Sequence, residues 1–268
     1  MLHFFENKHI LACKFRMHTR NLIGTPVYVE PFDEQIKLIV TWAKNCQSKV
    51  VCVANTHMLI EARRDSQFAN VLNQADLVTP DGVPLVWMMK MMGAKQAQRV
   101  AGMDIFHSAC EQASKAQISI FLMGSTPEVL DKISHRLKDD FPLLKIAGME
   151  SPPFRPLGLT ADMDITNTIN ASGAGIVFVA LGCPKQEQWM ALHRGKIHAV
   201  MIGVGAVFPI YAGELKHAPK FMQNTGFEWL FRLSQEPQRL WKRYFSTIPI
   251  FIWLALKQIY FEPNHSDD

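Results

Sequence analysis

Cysteine is scarce: the 268 residues hold five, Cys13, Cys46, Cys52, Cys110 and Cys183, an odd number with no C-x-x-C step. That excludes a disulfide framework and suits a reducing compartment. No histidines stand at H-x-x-x-H or H-E-x-x-H spacing, and His193 and His198 would fall on different faces of a helix, so no zinc site is expected. Charge of one sign is also missing. The 28 Lys and Arg against 24 Asp and Glu leave +4, which gives no reason to expect a nucleic-acid partner. The N-terminal MLHFFENKHILACKFR lacks the unbroken apolar core of a signal peptide, because Glu6, Lys8 and His9 interrupt it, so the chain is expected to be cytoplasmic. The C-terminal stretch Ile248 to Leu256 falls short of the roughly 20 apolar residues a bilayer requires, and it contains Pro249. Lying in the membrane interface suits it better. No repeat and no low-complexity tract is found, and the proline-rich SPPFRPLG at Ser151 to Gly158, a lid or a stiff linker, is the clearest irregular connection.

What is present is enough apolar residue, 48% of the chain, to bury a full core. Short β-type runs alternate with amphipathic segments: VVCVA at Val50, DLVTP at Asp76, ISIFLM at Ile118, GIVFVALG at Gly175 and VMIGVG at Val200. Near-continuous apolar strands separated by helices predict an α/β fold, a Rossmann-like parallel sheet flanked by helices. After ISIFLMG, Ser125 three residues before Glu128, with Pro127 in the first turn, predicts a helix start. From Gly226 to Phe261 the composition changes to aromatics interleaved with Arg232, Arg239, Lys242, Arg243 and Lys257. The chain therefore divides into an α/β domain, 1–225, and a C-terminal helical, membrane-associating appendage, 226–268.

In open parallel sheets ligands gather beyond the carboxyl ends of strands, which directs attention to Asn55, Asp81, Gly124, Gly182 to Glu187, and Gly203 to Gly213. Asp81 follows a strand in TPDG, a sound place for a general base, although Asp-Gly is also an ordinary turn pair. In LGCPKQEQW, Gly182 closes a strand and Pro184 opens a helix whose first turn holds Lys185, Gln186 and Glu187. Free amides there suit a phosphate or sugar hydroxyls, and the same residues serve as plain capping chemistry. GVGAVF keeps two glycines of a dinucleotide fingerprint, Gly203 and Gly205, but has Phe208 where the third belongs, so it argues only weakly for a nicotinamide cofactor. Asp162-Met163-Asp164 matches the D-x-D pattern of metal-holding sugar transferases, yet it lies early in a predicted helix, where acids favour the dipole. Met88, Met89, Met91 and Met92 around Trp87 read as core or as a surface for a second copy, a homo-oligomer.

Taken together, the motifs resemble the WecG/TagA/CpsF glycosyltransferase family from about Val50 to Tyr244. The likeness is carried by ADLVTPDGVPLVW, RVAGMDIF, FLMGSTPEVL, SPPFRPL, LGCPKQEQWM and GVGAVF with AGELKHAPKFMQNTGFEWLFRLSQEPQRLWKRY, in that order. The resemblance implies an inverting transferase of cell-surface polysaccharide assembly. Its partners would be a UDP-sugar donor and an undecaprenyl-diphosphate-linked acceptor at the cytoplasmic membrane surface, with no cofactor and no metal. By the same resemblance Asp81 acts as general base and Gln186 orients donor or acceptor. Asn55, Arg99 and Asp104 line the pocket, the glycine-bearing strand ends hold UDP, and Arg232, Arg239 and Arg243 meet diphosphate charge.

Two positions depart from the family pattern: Val53 stands where a Thr is usual two residues before the Asn, and Pro209 where an Asp follows GVGxxF. A hexose or a uronic acid is then as open as an N-acetylmannosamine-type donor. The competing readings are a silent membrane-associated module that binds nucleotide or lipid and, last, a nicotinamide-dependent oxidoreductase.

Overall fold

A computed structural model describes residues 18–152 and 159–261. The N-terminal stretch with Cys13, residues 153–158 of the proline-rich loop and residues 262–268 lie outside the described residues. In chain order the elements are β1 (Thr19–Leu22), β2 (Thr25–Tyr28), α1 (Phe32–Lys44), β3 (Lys49–Ala54), α2 (Thr56–Arg64), α3 (Ser66–Gln74) and β4 (Leu77–Pro80). There follow α4 (Val83–Met91), α5 (Gly102–Lys115), β5 (Ile120–Gly124), α6 (Pro127–Asp140), β6 (Ile146–Glu150), α7 (Leu159–Ser172) and β7 (Ile176–Ala180). The last are α8 (Lys185–His193), β8 (Val200–Gly203), α9 (Val207–Tyr211), α10 (Lys220–Asn224), α11 (Glu228–Gln235) and α12 (Pro237–Phe261).

Six strands form one parallel sheet in the order β4-β3-β8-β7-β5-β6, and β1 and β2 form a separate antiparallel hairpin. The expected helix-flanked parallel sheet is what the chain forms. Its inner strands β5, β7 and β8 are apolar throughout because both faces are covered. Val50, Cys52 and Ala54 of β3, with Val177 and Val179 of β7, turn to the core under α2, α3, α4, α7, α8 and α12. Val51, Val53, Ile176 and Phe178 turn to the core under α1, α5, α6 and α9. In the second core Phe106 lies 4.7 Å from Phe178, 5.0 Å from Tyr211 and 6.1 Å from Phe208, ring centre to ring centre. At the opposite edge from the strand carboxyl ends, buried Asp76 accepts from Lys49 at 2.8 Å, Arg194 at 2.9 Å and the Val50 amide at 3.0 Å, tying β3, β4 and the end of α8 together.

Two local expectations shift. The cap of α6 is Thr126, whose hydroxyl accepts from the Val129 amide at 3.4 Å; Ser125 is instead drawn into the left-handed region at φ +63°. The turn is forced by Gly124 (φ +107°), where a Cβ would stand 2.6 Å from the Ala180 carbonyl oxygen. The C-terminal apolar run is also not short. It continues in both directions as α12, 25 residues and about 37 Å long, passing through Pro249 without ending. By length and composition alone this helix could cross a membrane. It carries Arg239, Lys242 and Arg243 in its first two turns, and Leu240, Thr247, Phe251 and Ala255 form a buried stripe where it lies on the body. Polar ties hold it there: Arg64 Nη2 donates to Ser246 O at 2.8 Å, and Gln258 bridges the hairpin by accepting from Ile23 N at 2.9 Å and donating to Asn21 O at 2.7 Å.

Candidate active site

The carboxyl ends of β3 and β4 place Asn55 and Asp81 side by side. Ala54 pairs with Pro80, and the Asp81 amide donates to Ala54 O at 2.8 Å, so Asp81 is held as one further rung beyond the ladder. Asn55 caps α2, its Oδ1 accepting from Met58 N at 3.2 Å. A second main-chain bond, Val100 N to Pro80 O at 2.8 Å, lays the connection between α4 and α5 along the same end and brings Arg99 to Asp81.

Arg99 is the hub. Its Nε donates to Asp81 O at 2.8 Å, its Nη1 reaches Gln223 Oε1 of α10 at 3.5 Å, and its Nη2 donates to Glu228 Oε2 of α11 at 2.7 Å. The same Nη2 stands 3.6 Å from Asp81 Oδ1. Asp81 is partly enclosed, and that burial raises its pKa to about 6. Arg99 opposes the rise, Glu228 adds to it, and Arg232 and the Gly102 amide at the start of α5 pull it back. A carboxylate poised near neutrality is a usable proton acceptor.

A second group of expected residues gathers around the start of α8. Gly182 turns at φ +81° and the Cys183–Pro184 peptide is cis. Gln186 is buried: its Oε1 accepts from Gly182 N at 3.2 Å and its Nε2 donates to Glu187 Oε1 at 2.7 Å. Gln186 also fills the space that the two glycines leave, since a Cβ on Gly203 would meet its Nε2 at 2.9 Å and one on Gly205 its Oε1 at 3.4 Å. The glycine turn thus receives a side chain of its own protein, which removes the opening on which a dinucleotide reading depends. Glu187 is fully buried, which lifts its pKa to about 7, and its Oε2 has no partner among the described residues. Lys185 is exposed at the first position of α8.

The appendage arginines divide. Arg232 bears on Asp81, and half-buried Arg243 bears on Glu187, Cys183 and His57. His57, held neutral by burial beside Arg243 and Arg64, is pushed down to about 3. Arg239 lies outside, paired to both oxygens of Glu236 at 2.7 and 2.5 Å. Asp104 is exposed in the first turn of α5 and lines a depression of about 280 Å³ with Phe32, Arg99, His107 and Ser108. Asp162 of the D-x-D pattern is taken by Trp189 Nε1 at 3.1 Å and His193 Nε2 at 3.1 Å. Glu228 and Gln223 were not anticipated, although Glu228 stands four residues before Arg232, a spacing that puts both on one side of a helix.

The fold is thus an α/β one whose parallel sheet brings a carboxylate raised to about 6 beside Arg99 and Arg232. The chain belongs to the WecG/TagA/CpsF glycosyltransferase family, whose model matches residues 20–265. It is 32% identical over 222 residues, 82% of this chain and 83% of the relative, to the N-acetylglucosaminyldiphosphoundecaprenol N-acetyl-beta-D-mannosaminyltransferase of Bacillus spizizenii strain W23. The protein of the same description from Bacillus subtilis strain 168 is 31% identical over 210 residues, 78% of this chain and 79% of that one.

Proposed function

We propose that this glycosyltransferase moves a sugar from a UDP-sugar to an undecaprenyl-diphosphate-linked acceptor, with inversion and without a required metal, in cell-surface polysaccharide assembly. The observation that carries the reading is Asp81, raised to about 6 at the sheet edge within reach of Arg99 and Arg232. Asp81 takes the proton of the acceptor hydroxyl as that oxygen attacks the anomeric carbon. The bond from that carbon to the diphosphate oxygen breaks, and UDP leaves with the negative charge. Arg232 and Arg243 supply positive charge where diphosphate must be held or released. Gln186 works through the loop it fills, keeping Gly182 and Gly203 in place beside Glu187. Asn55 and Asp104 face substrate from the ends of β3 and α5, and Lys185 offers its ammonium at the start of α8.

The acceptor class comes from the relatives' descriptions, and two features of this chain support it: exposed Trp253, Tyr260 and Phe261 on α12, and the basic first turns of the same helix. Such a helix seats itself in a headgroup layer from the cytoplasmic side, with Lys242 and Arg239 toward lipid phosphate. The test compares wild type, Asp81→Asn and Asp81→Ala for acceptor-dependent UDP release, with a polyprenyl-diphosphate-sugar in vesicles and a panel of UDP-sugars. Both variants are expected to fold and to lose transfer by about a thousandfold or more, as befits loss of a base at the reacting atom. Full activity in either variant refutes the assignment.

A further inference from the structure

Arg99 Nη2 is contested by two carboxylates. It is 2.7 Å from Glu228 Oε2 and 3.6 Å from Asp81 Oδ1, and all three side chains are mostly enclosed, with 18%, 26% and 29% of their surface accessible for Arg99, Glu228 and Asp81. Arg99 cannot drift away, because its Nε is tied to the Asp81 carbonyl oxygen. In this geometry the guanidinium lies beside the Asp81 carboxylate yet spends its shortest bond on Glu228. We propose that Glu228 is a positioning residue of the transfer reaction: by occupying Arg99 Nη2 it stops that guanidinium from closing on Asp81, and so leaves the Asp81 carboxylate free to take the acceptor proton.

This rests on Asp81 as the base of the reaction proposed above. Among the described residues, the groups that act on Asp81 are Arg99 from the connection before α5, Glu228 and Arg232 from α11, and the Gly102 amide of α5. Removing the Glu228 charge acts twice in the same direction. A like charge that raises the Asp81 pKa disappears, and Arg99 Nη2 is released to bond the carboxylate, which lowers it further. Asp81 then ionises at lower pH and becomes a weaker base. Because Glu228 belongs to α11, the base would be tuned only while the appendage is docked, which links membrane seating of the tail to proton transfer at the sheet edge.

The experiment is the pH dependence of UDP release by the full chain for wild type, Glu228→Gln, Glu228→Asp and Gln223→Ala, the last removing the neutral contact that α10 makes to Arg99. In parallel, carboxyl ¹³C NMR follows the Asp81 titration without substrate, its resonance assigned by its loss in Asp81→Asn. For Glu228→Gln the acid limb and the Asp81 titration move to lower pH by about one unit. Its plateau kcat falls roughly threefold. Glu228→Asp keeps the wild-type limb, and Gln223→Ala leaves the limb where it is. If Glu228→Gln titrates at the wild-type pH, or if all three variants slow the reaction alike with no displacement of the limb, Glu228 is only a strap and the proposal fails. If wild type releases no UDP with any donor and acceptor, it is the proposed function that fails. The NMR titration then decides on Glu228 alone, an unmoved Asp81 resonance overturning it.

Discussion

Burial of Asp81 makes its ionisation a cost to the fold. Its carboxyl ionises near 6 in the native chain and near 3.8 when unfolded, so the native state binds more protons between those values and stability falls as pH rises through that window. Asp81→Asn is therefore expected to raise the melting temperature at pH 7–8. The gain should shrink below about pH 6 and vanish below the unfolded value near 4, which thermal melts across that range would check. At Gly203 the constraint is steric: a methyl there meets Gln186 Nε2 and Met190 Cε, both at 2.9 Å. Gly203→Ala should displace Gln186 and lower transfer by more than tenfold with little loss of secondary structure, measured as UDP release and circular dichroism. Residue identity alone could not separate Asp81 from a turn, because the Asp-Gly pair is the same in both cases. What distinguishes it is the rung to Ala54 and the neighbouring Arg99, both made by segments distant in sequence. For the same reason Gln186 reads as a ligand contact in sequence and as a filler of the glycine turn in space.

Among the elements, the strands buried on both faces were the legible ones, since runs such as VVCVA and IFLM are apolar at every position. The hairpin β1–β2 and the strand β6 escaped notice. TRNL, TPVY and IAGME lie at edges or outside the main sheet and lack that continuous pattern. The apolar run from Ile248 to Leu256 is only part of α12. Arginines and a proline continue the helix because the stripe Leu240, Thr247, Phe251 and Ala255 rests on α2 and neighbouring elements, and that packing outweighs the hydrogen bond lost at Pro249. Phe251→Ala should accordingly cost about 3–5 kcal/mol in urea unfolding. A change at Trp253, which is 63% exposed on the same helix, should leave unfolding within about 0.5 kcal/mol of wild type.

At the scale of the whole molecule, the chain has a closed α/β body and a tail whose outer side is apolar, with Phe245, Trp253, Tyr260 and Phe261 each exposed by more than three fifths. Replacing both Trp253 and Phe261 by Glu should reduce co-sedimentation with anionic phospholipid vesicles by about tenfold while UDP binding persists; unchanged sedimentation would argue that the tail meets something other than lipid. Arg99, in the connection before α5, holds the main chain of Asp81 at the end of β4 and reaches forward to Gln223 of α10 and Glu228 of α11. Arg99 joins these pieces, and they leave the ribosome at different times. All six strands of the sheet have been made once β8 is complete. Glu228 and Arg232, whose charges act on Asp81, follow in α11. Translation thus delivers Asp81 and Arg99 well before Glu228, and the carboxylate meets its full set of charged neighbours only after α11 has been made.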